Sequence, residues 1–231
     1  LNKEPVAGND HEIGEMMTAT EATAATAEPL SSPRAYVGES EGALREIYER
    51  RAVRAYTDQS VTRENVELLL DAAVHAPSAV NSQPWAFVVL QDRELLARYA
   101  ESGTELLRID PPGIEVVQSG LPDLDRLRQM ASGADFKLFH GAPTLIVIYA
   151  RRIEGLPDCF LAAQNLMLAA QSLGLGTCPI GMAIPLFNRA EVKAELTIPP
   201  DWSAALPIVV GWPAGETAPS HRHPALIAAW R

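Results

Sequence analysis

The chain has 231 residues, of which 47% are apolar and 21% charged, and it carries a formal net charge of −10. That length supports one sizeable core in one or two domains, and the acidic balance argues against a nucleic-acid partner, which favours a basic face. No run approaches the roughly 18 apolar residues of a membrane span, and the first residues lack the basic-then-apolar order of a signal peptide, so the expectation is a cytoplasmic protein without membrane contact.

In chain order, residues 1–40 hold Glu4, Asp10, Glu12, Glu15, Glu21, Glu28 and Glu39 against Lys3 and Arg34, so 2 minus 7 gives −5, half of the total charge. With few large apolar side chains among its alanines and threonines, this stretch reads as a flexible acidic extension, and residues 41–231 as the folded domain. Leu44, Ile47 and Tyr48 then form an i, i+3, i+4 stripe on a short helix. It leads into Arg50-Arg51-Ala52-Val53-Arg54-Ala55-Tyr56, where three arginines in five residues could hold a phosphate through bidentate bonds. A solvated basic helix end would look the same.

Thr62 is placed to cap a second helix, with Glu64 in its first turn and Val66, Leu69, Leu70, Ala73 and Val74 on one face. After it comes Ala76-Pro77-Ser78-Ala79-Val80-Asn81-Ser82-Gln83-Pro84-Trp85, and then the apolar run Phe87–Leu90. The two prolines fix backbone angles, while Ser78, Asn81, Ser82 and Gln83 offer groups that donate and accept hydrogen bonds. Such a loop suits a flat, polar-edged ligand. An ordinary helix-to-strand connection uses the same residue types. His75, beside the loop, and His140, further on, read as structural histidines.

Asp92 is expected to cap a helix running through Glu101. The stretch 102–133 is rich in Gly, Pro and Asp, with one short amphipathic piece over 121–130. Thr144–Tyr149 is a continuous apolar run, typical of a strand buried on both faces. Cys159–Leu173, lined by Ala162, Ala163, Ala169 and Ala170, is expected to form a central buried helix capped by Gly174. Gly174-Leu175-Gly176-Thr177-Cys178-Pro179-Ile180-Gly181-Met182 reads as a loop whose three glycines allow close backbone approach to a ligand. A helix from Pro185 to Leu196 and a strand from Leu206 to Gly211 complete the domain. Cys159 and Cys178 stand far apart without a CxxC or Cys/His pattern, which points to two buried thiols rather than a disulfide or metal site.

Three features taken in order, namely the Arg50–Tyr56 segment, the Pro77–Trp85 loop before an apolar strand, and the Gly141-Ala142-Pro143 turn before a second one, resemble the nitroreductase family. The closing Gly211-Trp212-Pro213 and Arg222-His223-Pro224 extend the likeness over roughly residues 44–225. The resemblance implies an α+β fold with a central mixed, mainly antiparallel sheet flanked by helices, a homodimer, and FMN at the subunit interface. Residues 102–133 would then form the lid or substrate-pocket segment.

Carried over residue by residue, the resemblance puts Arg50 and Arg222 on the FMN phosphate, with Arg51 assisting and Ala52 alongside. Arg54 would sit by the pyrimidine edge, where negative charge accumulates on reduction. Pro77, Ser78, Ala79, Asn81 and Gln83 would reach the flavin of the partner subunit, and the backbone of Pro179, Ile180, Gly181 and Met182 would face the reactive ring nitrogen. Two positions depart from the family pattern. Ala52 stands where many members have serine, and Gly181 where some have glutamate. The implied activity is NAD(P)H-driven reduction of a small acceptor, a nitroaromatic or a quinone, through FMN. Two other readings stay open: an FMN-dependent dehydrogenase that oxidises its substrate, and a flavin-binding protein without turnover. FMN is expected over a dinucleotide because one arginine cluster fits one terminal phosphate and no G-x-G-x-x-G fingerprint follows a strand.

Overall fold

The computed structural model describes residues 42–109 and 124–231, with the side chains of 124–127 left aside. The chain divides into two units, residues 36–221 and residues 1–35 together with 222–231. Within the second unit, residues 222–231 contain no helix or strand, and the expected extension over 1–40 lies outside the described residues.

The first unit is built on four strands, β1 (Trp85–Leu90), β2 (Thr144–Ala150), β3 (Gly176–Pro179) and β4 (Ser203–Gly211), in the order β1-β2-β4-β3 with every neighbour antiparallel. The mixed character expected of the sheet comes from one further contact, a parallel bridge between Ala52 and Thr177 on the outer side of β3. All seven residues of β2 are buried, as an unbroken apolar run with covered faces requires. Ile146, Ile148 and Ala150 point to one core, shared with α2 (Arg63–Val74) and α5 (Leu156–Ser172). Leu145, Val147 and Tyr149 point to the other, shared with α3 (Arg93–Ile109), α6 (Ile184–Phe187) and α7 (Ala190–Glu195). The alternation follows from the two-residue period of a strand.

Several expected boundaries move, each for a local reason. Helix α2 begins as expected, Thr62 Oγ1 accepting the Asn65 amide at 3.2 Å. Asp92 Oδ1 likewise accepts the Leu95 amide at 2.9 Å, but α3 continues eight residues past Glu101. Gly103 does not break it: a Cβ there would lie 2.5 Å from Leu138 Cδ2, so the glycine is where that leucine closes on the helix. The amphipathic piece becomes α4 (Leu124–Ala131), while 110–123 of the expected lid lie outside the described residues. Helix α5 ends as predicted, Gly174 taking φ 75° and Leu175 N donating to Ala170 O at 2.8 Å. The single helix expected over 185–196 is two short ones, α6 and α7. Asn188 separates them, its Nδ2 donating to Ile184 O at 3.1 Å and its Oδ1 accepting the Ala204 amide at 3.0 Å.

Two regions of this unit depart from a closed, self-contained packing. The stretch expected as a ligand loop, 174–182, forms strand β3 over Gly176–Pro179, and Gly176 faces inward, where a Cβ would meet Val53 Cγ2 at 2.6 Å. The first helix, α1 (Ala43–Glu49), lies against α5 yet has no buried residue, and Leu44, Ile47 and Tyr48 are all exposed. Among the described residues no helix is long and apolar enough to cross a membrane.

Candidate functional site

The arginine segment leaves α1 and runs beside β3. Val53 N donates to Thr177 O at 3.0 Å, Ala52 bridges Thr177, and Tyr56 bridges Pro213, so the segment is held like an extra edge strand. An extended backbone sends alternate side chains to opposite sides. Val53 is buried, whereas Arg54 is exposed and Ala52 and Arg50 are partly so. Arg51 turns back on its own helix: Nη1 donates to Tyr48 O at 2.6 Å and to Arg50 O at 2.9 Å, capping carbonyls that the helix end leaves open. The structure therefore gives Arg51 a structural bond where a phosphate contact was expected.

Arg54 Nη1 donates to Ala52 O at 3.5 Å, beside the bridge to Thr177. Burial pushes the neighbouring Cys178 thiol up, and the charges of Arg54 and Arg50 oppose that rise. Burial also lowers His140, with Arg54 adding to the effect. Tyr56, whose hydroxyl donates to Val53 O at 2.7 Å, is raised well above the usual phenol range by burial and by Cys178. Positive charge from Arg54 thus acts on Cys178, Tyr56 and His140 alike. Ala52 adds no hydroxyl to the segment.

The Pro77–Gln83 loop is the second group. A 3-10 turn spans Ala79–Asn81, Gln83 N donates to Ser78 Oγ at 3.0 Å, and Gln83 Nε2 donates to Asn81 Oδ1 at 3.2 Å. Val80, Asn81 and Gln83 all have left-handed φ, at 48°, 54° and 44°. Val80 is 99% exposed. The loop is anchored to the corner after β2: Arg151 Nη2 donates to Gln83 O at 2.8 Å, and Asp158 Oδ2 accepts the Ala79 amide at 3.3 Å. Neither anchor stands out in the sequence. The arginine pair straight after a buried strand and an acid in the first turn of a long helix were the available signals.

The third group follows β3. Ile180 is buried and its amide donates to Pro207 O at 2.8 Å, while Pro179 and Gly181 are exposed. A Cβ on Gly181 would meet nothing within 4 Å, so this backbone has open space before it, unlike Gly176. A 3-10 turn over Gly181–Ala183 carries Met182. This group and the arginine segment both adjoin β3. Arg222 belongs to the second unit and is exposed.

The loop lies elsewhere. Trp85, at its end, pairs with Ala150 and so stands level with Ser203, whereas Ala52 bridges Thr177, which stands level with Val210 and Thr144. Six residues along the strands is about 20 Å and four strand spacings is about 19 Å, which sets the two groups roughly 28 Å apart on a diagonal of the sheet. Helix α5 gives the same answer: Asp158 holds the loop at its start, β3 follows its end, and 17 residues of helix cover about 25 Å. Within one chain the sheet and the body of α5 stand between the two groups. A cavity of about 900 Å³ runs between α3 and residues 136–143, lined in part by Leu96, Ala100, Arg108, Lys137, Phe139 and Pro143; it takes in the Gly141-Ala142-Pro143 turn and part of the stretch expected as a lid, but none of the residues expected to bind the cofactor.

Both cysteines are free and buried, as expected from their spacing, with burial pushing Cys159 up to about 12 and Asp158 adding to it. His75 Nδ1 donates to Asp71 O at 2.7 Å at the end of α2.

An antiparallel sheet packed between helices on both faces, with an arginine-bearing segment along one edge, defines an α+β domain. The nitroreductase family model matches residues 47–212, more than half of the chain, and the chain belongs to the nitroreductase family. It is 30% identical over 196 residues to the nitrobenzene nitroreductase of Ectopseudomonas oleovorans, covering 72% of this chain and 84% of that protein. Among solved structures, an FMN-dependent nitroreductase of Clostridium difficile superposes with a TM-score of 0.62 at 25% identity, covering 81% of this chain and 97% of that one. A nitroreductase of Bacteroides fragilis, solved with bound FMN, shares the fold with a TM-score of 0.66 at 22% identity, over 82% of this chain and 96% of that one.

Proposed function

We propose that this protein binds FMN in two sites shared between the subunits of a homodimer, and that it transfers electrons from NAD(P)H to a small acceptor such as a nitroaromatic or a quinone. The observation that carries this reading is the diagonal placement of the two groups. The Arg50–Arg54 segment and the Pro77–Gln83 loop stand at opposite corners of one chain, so a ligand that uses both must draw them from two chains. A two-fold interface supplies that pairing twice, since each subunit gives one group to each site. The exposed apolar residues Leu44, Ile47 and Tyr48 of α1, and Phe160 and Leu161 of α5, the helix it packs on, offer apolar surface for it.

The residues fit a flavin mononucleotide. Arg50 is suited to the terminal phosphate through charge-assisted bonds. Arg54 fixes positive charge beside the ring edge. Ser78, Asn81 and Gln83 of the second subunit present amide and hydroxyl groups to the polar rim of the ring. The open backbone at Gly181 leaves room over the ring, where a side chain would intrude. When bound, FMN supplies the redox centre, accepting a hydride from the nicotinamide and passing electrons to the acceptor. The protein's own part is to orient the ring and to stabilise the charge that gathers on its pyrimidine edge, so no side-chain nucleophile is required.

The test is the absorption spectrum of the purified protein, identification of the released flavin, and NAD(P)H consumption with a nitroaromatic or quinone. The expected result is stoichiometric FMN with steady turnover. Colourless protein that cannot be reconstituted with FMN would overturn the reading, and tight FMN binding without NAD(P)H consumption would leave a binding protein.

A further inference from the structure

Between β2 and α5 the chain turns a corner over residues 151–158, and the Pro77–Gln83 loop rests on it. Besides the bonds from Arg151 to Gln83 O and from Ala79 to Asp158, the Arg151 amide donates to Pro84 O at 2.8 Å. The ring of Pro84 lies so close to Gly155 that a Cβ there would be 2.6 Å away. The loop needs this support. Asparagine tolerates the left-handed region, but a β-branched valine does so only under constraint, and such a conformation persists where its surroundings impose it. Val80, at φ 48° and 99% exposed, receives no support through its own side chain. The constraint therefore comes from the two ends of the loop. Those ends are what Arg151 and Asp158 hold.

We propose that Arg151 and Asp158 are positioning residues for the flavin site. They hold the loop in its strained form, with Ala79, Val80 and Asn81 turned to solvent, and thereby set the affinity and surroundings of the flavin bound by the second subunit. This rests on the shared site proposed above. Neither residue touches the flavin; each acts through the loop backbone, Arg151 as a charged donor at Gln83 and Asp158 as a charged acceptor at Ala79.

The first test is FMN affinity, with the absorption band and fluorescence of the bound flavin, in Arg151→Gln and Asp158→Ala. Arg151 is exposed and Asp158 half-buried, both outside the core, so melting should stay close to that of the parent, while FMN binding weakens about tenfold, as the loss of one charge-assisted bond implies. Arg151→Lys and Asp158→Asn keep a donor and an acceptor and should recover most of the affinity. Parent-like affinity and spectra in both Arg151→Gln and Asp158→Ala would overturn the proposal. The second test uses mixed dimers of an Arg54→Ala chain and an Arg151→Gln chain. If Arg151 acts on its partner's flavin, both lesions fall in one site, and the other site binds one FMN per dimer with parent affinity. Two equally weakened sites would overturn action across the interface. A parent chain that binds FMN fully as a monomer would instead remove the shared site itself, a separate and recognisable failure.

Discussion

Arg54 shows how much one side chain can be asked to do on an exposed edge. Its guanidinium lies among Tyr56, His140 and Cys178, and it counters the effect of burial at both Tyr56 and Cys178. Arg54→Ala is expected to retain some FMN, to lower the flavin reduction potential, and to slow flavin reduction by roughly a hundredfold, as loss of an aligned charge at a developing anion does. Potentiometry and stopped-flow reduction by NAD(P)H would read this, and unchanged values would place Arg54 away from the ring. His140 carries a second expectation. Burial first, and Arg54 second, hold its pKa below the ordinary value, so the unfolded chain takes up this proton before the folded one does. Stability should therefore rise with pH through this window and fall on acidification. His140→Asn, which keeps a residue tolerant of φ 53°, should flatten that slope on the acid side of about pH 6.5, the ordinary histidine value, in urea unfolding. A slope identical to the parent's would show that His140 does not carry it. At this scale the sequence revealed residue types and spacing, enough to single out Arg50, Arg54 and the loop as candidates. It did not reveal that Arg51 folds back on Tyr48 O, because that depends on which carbonyls the end of α1 leaves open.

Among the elements, α2, α5 and β2 were legible because their periodicity and burial agree. Helix α3 was read only as far as Glu101, because the stretch beyond is rich in Gly, Pro and Asp, and Gly176 was read as part of a ligand loop. Gly103 and Gly176 are instead packing contacts, for Leu138 and Val53. Only the neighbour's identity reveals such a contact, and a neighbour far along the chain leaves no local trace. Gly176→Ala should push the arginine segment off β3, since Val53 Cβ and both its methyls lie within 2.8 Å of the added carbon. The expected result is FMN affinity lowered at least tenfold with a loss of about 1–3 kcal/mol in stability, the usual cost of overpacking. Titration with FMN and denaturant unfolding would measure both, and a variant with parent affinity would show that the bridge to Thr177 does not position the arginines.

For the molecule as a whole, α1 is the part that does not close on itself. A seven-residue helix is marginal alone in water, and this one buries none of its side chains within the chain, yet it carries the arginine segment at its end. A second copy covering Leu44, Ile47 and Tyr48 would steady α1 while bringing its own Pro77 loop to the same place. FMN occupancy and dimerisation should then rise and fall together, because a ligand bound by the dimer and poorly by the monomer favours the dimer by mass action. Sedimentation of holo and apo protein across a dilution series, with flavin fluorescence followed in parallel, should show apo protein dissociating at higher concentration. A monomer that keeps all its FMN would refute the coupling. The bridge between Ala52 and Thr177 has one more effect. Beyond β3 there is no further strand among the described residues, and the row of backbone groups on its outer side is shielded only by the arginine segment. An uncovered sheet edge is a template on which another chain can add. On the function proposed above, the residues that would hold the cofactor also cover this edge, so protein stripped of flavin is expected to scatter more light on standing than the loaded form; equal scattering would show that flavin does not steady the segment.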